Sequence, residues 1–129
     1  MADGASSGAF QKLERNSLDG LSTDGTAAQS LESDGAGGFQ WGKRFIAYSQ
    51  ALTPASVAAN TTAEETFTVT GLATTDALLS VIKPTAQAGL GIVGIRISAT
   101  NTLGITFSNN TVVPIVPTAA EAYKIHTWR

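Results

Sequence analysis

Residues 92–108 read IVGIRISATNTLGITFS, and the fold follows from them. In Ile92–Ala99, Val93, Ile95 and Ile97 fall on one side and Gly94, Arg96 and Ser98 on the other. In Leu103–Ser108, Leu103, Ile105 and Phe107 alternate with Gly104, Thr106 and Ser108. A period of two is the signature of half-buried strands. The link Thr100-Asn101-Thr102 is polar and carries an Asn, which tolerates turn geometry. The stretch predicts a β-hairpin.

Outward from the hairpin, further short strands are expected. Lys43–Tyr48 is a first strand or a docking segment, and Thr53–Ala58 an edge strand because of Pro54. Thr66–Thr70 alternates with Phe67 and Val69 inward, and Gly71 closes it. Ala77–Ile82 is a more uniformly apolar run ended by Pro84. After an Asn109-Asn110 turn, Val112–Val116 reads as another edge strand, broken by Pro114 and closed by Pro117. The last strand is Ala122–Trp128, with Tyr123, Ile125 and Thr127 on one face and Lys124, His126 and Trp128 on the other. Short strands at this spacing predict an all-β fold, a small antiparallel sandwich or barrel of six to seven strands.

The charge is sparse and unevenly placed. Charged residues make up 14% of the chain, against about 25% in typical soluble proteins. A hydroxyl-rich surface of this kind is either covered by a partner or merely tolerated. The net charge of −2 gives no reason to expect nucleic acid or an anionic membrane as partner. Residues 1–42 hold six acidic and two basic side chains, a local −4, and residues 43–129 hold four acidic and six basic ones, a local +2. The chain has no cysteine, so a disulfide-stapled scaffold is excluded and a reducing compartment suits it. MADGASSGAF has no basic and apolar regions of a secretory leader, and no apolar run reaches membrane-helix length.

The division expected is a flexible or partner-ordered arm over 1–42 and a β domain over 43–129. Gly, Ser, Asp and Ala dominate the arm, leaving little apolar surface to offset ordering entropy. Asp-Gly turn signals recur at 3–4, 19–20, 24–25 and 34–35. Phe10–Arg15 is long enough for one or two helical turns, and Leu18, Leu21 and Leu31 are sparse apolar anchors. Fully extended, some 38 residues reach on the order of 125 Å, enough to cross onto a neighbouring subunit. Gly37–Gly42 reads as a hinge carrying Phe39 and Trp41. Phe39, Trp41, Phe45, Tyr48 and Trp128 are the candidate contact residues. They either cover the core or anchor another chain, since aromatics are enriched at interfaces.

No motif carries chemistry. Gly89-Leu90-Gly91-Ile92-Val93-Gly94 matches GxGxxG literally but runs into a β-branched strand, with no acid some 20 residues on to hold a ribose. His126 is the sole histidine, without ligand spacing for a metal or a base–acid pair for a serine nucleophile. Glu64, Glu65 and Asp76 are read as solvated groups at strand starts or turns. The Asp-Gly repeats lack the oxygen ligands of a calcium loop. No catalytic residue, cofactor or metal is expected.

The segments VAANTTAEETFTVTGL, GLGIVGIRISATNTLGITFSNNT and VVPIVP, with the closing aromatic strand, resemble a small β module of tailed-bacteriophage virion proteins. The likeness spans roughly Tyr48–Arg129. It implies a head decoration, or cement, protein: a homotrimer on the outer capsid surface, assembled in the host cytoplasm, whose partners are its own copies and the major capsid protein. A tail, neck or fibre-attachment component is the alternative. A carbohydrate-binding module is a further rival, and it would need an exposed aromatic platform built on Trp41 or Trp128.

Overall fold

The computed structural model describes residues 30–129. They belong to two compact units, one ending at Arg44 and one spanning Phe45–Arg129. In the first, β1 (Leu31–Ser33) and β2 (Phe39–Trp41) pair antiparallel, with Leu31 opposite Trp41 and Ser33 opposite Phe39. The stretch read as a hinge is therefore partly a strand. Its turn is built by Asp34, whose Oδ1 accepts from the amides of Ala36 at 2.8 Å and Gly38 at 2.9 Å. Those two donors hold the Asp34 carboxyl below its ordinary pKa. Gly35 and Gly37 supply positive φ angles. The other Asp-Gly pairs, Phe10–Arg15, Leu18 and Leu21 lie outside the described residues.

The second unit is an all-β antiparallel sandwich of six strands: β3 (Phe45–Leu52), β4 (Thr61–Thr68), β5 (Ala77–Ile82), β6 (Leu90–Ala99), β7 (Thr102–Asn109) and β8 (Glu121–Trp128). One sheet has the order β3-β8-β5 and the other β4-β7-β6. Most pairings join strands far apart in sequence, and within this unit only β6–β7 joins neighbours. The two central strands supply the core. Leu103, Ile105 and Phe107 of β7 and Tyr123 and Ile125 of β8 are fully buried, with Leu52, Val57, Val69 and Leu72 closing the ends.

Several expectations are corrected. Val93 points outward and is 61% exposed. The register slips between Ile92 and Gly94, so a bulge places Ile92, Ile95 and Ile97, not Val93, opposite Phe107, Ile105 and Leu103. Strand β4 lies earlier than predicted, and Glu64 and Glu65 sit in its middle. Neither edge strand predicted beside a proline forms; only Val57 and Ile115 bridge. Beyond that bridge, several of their polar groups go to side chains. The Glu65 carboxylate accepts the Ala55 amide at 2.9 Å, and Asn109 Nδ2 donates to the carbonyls of Val57 at 3.0 Å and Val113 at 2.8 Å. Val112, Val113 and Val116 remain exposed. Buried backbone groups need partners, and here side chains supply what a ladder would have supplied.

Candidate interaction surface

The register divides each sheet into an inward and an outward row, and the two outward rows differ in chemistry. On β4-β7-β6 it carries Thr62, Glu64, Thr66, Gly104, Thr106, Ser108 and Arg96. Arg96 forks onto Glu64, with Nε–Oε2 at 2.8 Å and Nη2–Oε1 at 2.6 Å. The pair lies over Gly104, where an added Cβ would sit 3.3 Å from Arg96 Cγ and 3.4 Å from Glu64 Cδ. Arg96 lowers the pKa of Glu64 through that hydrogen bond. Apart from Val93 at the bulge, this face is polar, and its two charged side chains are paired with each other.

On β3-β8-β5 the outward row is apolar. Phe45 is 44% exposed, Trp128 40%, Leu79 53% and Ile82 47%. Ala47, Ser49, Ala51, Ala77 and Ser80 fill the spaces between them, and Lys124 is the one charged side chain among the three strands' outward residues. Phe45 stands opposite Trp128 across β3–β8 and stacks on His126, centroids 5.5 Å apart and planes at 21°. Ser80 Oγ and His126 Nδ1 are 2.7 Å apart. Among the described residues no carboxylate meets the other ring nitrogen, so the pair lacks the third group that orients a catalytic base.

Of the five residues picked from the sequence, this face brings together Phe45 and Trp128. Tyr48 lies on the inward row, packed against the core, and its hydroxyl donates to the Gly71 carbonyl at 3.0 Å. Phe39 and Trp41 share one face of the β1–β2 hairpin with Leu31. Leu79 and Ile82 were missed. Their run is apolar throughout, and a register shift between Leu78 and Ser80 turns Leu79 outward.

The remaining polar clusters tie loops down. Lys83 Nζ bonds Glu121 Oε2 at 2.8 Å and the Thr85 carbonyl at 2.7 Å, and Thr85 Oγ1 also bonds Glu121. Those bonds hold the Glu121 carboxyl below its ordinary pKa, Lys83 contributing most. Arg129 forks onto the buried Asp76 at 2.6 and 2.9 Å and reaches the Gly71 carbonyl at 2.9 Å. The Gly71 amide donates to Asn101 Oδ1 at 2.8 Å, which fixes the β6–β7 tip to the loop between the sheets. An open pocket of ≈ 380 Å³ lies beside Lys83, Gln87, Leu90, Ile92 and Phe107. Among the described residues no group of three or more His, Cys, Asp or Glu is placed to hold a metal ion, and no helix is long and apolar enough to cross a membrane.

No protein family, curated protein or solved structure was found that matches this chain.

Proposed function

We propose that the chain is a structural, non-enzymatic component of a tailed-bacteriophage virion, a head decoration protein that binds the outer capsid surface as an oligomer and stabilises the shell. The observation that carries this reading is the outward face of β3-β8-β5, with Phe45, Leu79, Ile82 and Trp128 exposed around a single lysine. Exposed apolar patches rimmed by polar residues mark interaction sites. The resemblance over Tyr48–Arg129 supplies the setting. Many modest contacts repeated over a lattice add through effective concentration, so no single contact has to be tight.

The test is reconstitution on undecorated heads. Purified protein is expected to bind in a copy number that follows the capsid lattice and to raise the temperature at which heads release their contents. Phe45→Asp with Trp128→Asp is expected to abolish both effects while leaving the sandwich folded. Failure of the wild-type chain to bind heads removes the reading. A low copy number confined to the tail moves the protein to the tail, neck or fibre attachment.

A further inference from the structure

Among the described residues, four strands of the sandwich lie at sheet edges: β3, β5, β4 and β6. Natural sheets blunt such edges with charge, proline, bulges or shortness, because an unpaired row of amides and carbonyls recruits another strand. Three of the four are blunted. Strand β4 carries Glu64 and Glu65. Strand β6 carries Arg96 and two register shifts. Strand β5 carries a register shift. Strand β3, FIAYSQAL, has none of these devices. It pairs with β8 at eight consecutive positions without a shift, and it contains no charge, proline or glycine.

We infer that β3 is an assembly edge whose occupant is β3 of a second copy, paired antiparallel about a two-fold axis at Tyr48. Charge selects this partner. Self-pairing of β3 opposes no like charges in any register. Strand β5 is also uncharged but is interrupted by its register shift. Self-pairing of β4 or β6 centred on its charged residues sets glutamate against glutamate or arginine against arginine. Pairing must keep outward residues opposite outward ones, which restricts the register to same-parity partners. Centred on Tyr48, it sets Phe45 against the partner's Ala51 and Ala47 against the partner's Ser49. Large then faces small, and Lys43 and Arg44 fall outside the ladder. The two β3-β8-β5 sheets become one six-stranded sheet, and their apolar outward faces become continuous. Main-chain hydrogen bonds supply the affinity, as in other strand additions. A two-fold contact makes a dimer and not the trimer that the resemblance implies, and it stands whether or not the chain decorates heads.

The full chain is tested by sedimentation velocity across the micromolar range. The wild type is expected at twice the 13.2 kDa chain mass. Ala47→Glu with Ser49→Glu sets glutamates against glutamates in this register and is expected to give monomers. Ala47→Lys with Ser49→Glu sets lysine against glutamate and is expected to restore the dimer. Both variants keep Glu at 49 beside Lys124, its partner on β8, and matching thermal midpoints show that both fold. A monomeric wild type overturns the inference, as does a trimer that the double glutamate leaves intact or a lysine–glutamate variant as dissociated as the double glutamate. Head binding by a variant that no longer dimerises separates this contact from the decoration reading.

Discussion

At the scale of single residues, stability turns on a few polar groups, some bonded across loops and one buried away from water. Asn101 holds a φ of 59° at the β6–β7 tip and accepts the Gly71 amide through its side chain. Asn101→Ala adds backbone strain to the lost bond and is expected to cost about 1–3 kcal/mol in thermal or urea denaturation. Asn101→Gly keeps the backbone comfortable and is expected to cost less. Tyr123 is fully buried and its hydroxyl has no hydrogen-bond partner among the described residues. Burial, with Glu121 and Glu65 nearby, pushes its pKa up from 10.0 to about 12. The fold therefore keeps a proton that the unfolded chain gives up. Stability from this group is full below pH 10 and is lost as pH rises toward about 12. Tyr123→Phe removes the unserved hydroxyl at nearly constant volume. It is expected to leave neutral-pH stability unchanged or raise it by up to about 1 kcal/mol, and to flatten the alkaline loss followed by denaturation against pH.

At the scale of elements, β6 shows how one bulge reassigns a face. Strict alternation puts Val93 inside, and the register shift at Ile92/Gly94 puts it outside. Val93→Thr is therefore expected to change stability by no more than about 0.5 kcal/mol. Ile105→Ala, in the buried row of β7, is expected to cost about 2–5 kcal/mol by leaving a cavity. Comparable losses from both, measured by urea denaturation, would place Val93 in the core. The segments around Pro54 and Pro114 make the complementary point. Apolar, β-branched composition makes a strand only where the backbone finds a ladder, and here Glu65 and Asn109 meet the backbone first.

At the scale of the molecule, three of the four strand pairings of the sandwich join strands that are not neighbours in sequence, so most contacts are long-range. Strand β3 must meet β8 and β4 must meet β7 before the core closes. Such topologies close long loops before contacts reward them, so stopped-flow refolding is expected in the millisecond-to-second range. Relaxation in microseconds would show that the β6–β7 hairpin alone carries the barrier. The two sheets have unlike outward faces, one carrying the Glu64–Arg96 pair and one apolar and nearly uncharged.

The sequence by itself determined the all-β class, the β6–β7 hairpin, the inward row of β7, the two rows of β8 and the extent of β5, because a period of two is a local property of half-buried strands. It also placed Phe45 and Trp128 among the candidate contacts. Only the tertiary structure decided that these two share a face with Leu79 and Ile82, that Tyr48 turns into the core, and that β3 lies at a sheet edge among the described residues. Faces and edges are relations between strands far apart in the chain. A bulge of one residue, or a side chain that captures a distant amide, changes them without leaving a mark on local periodicity.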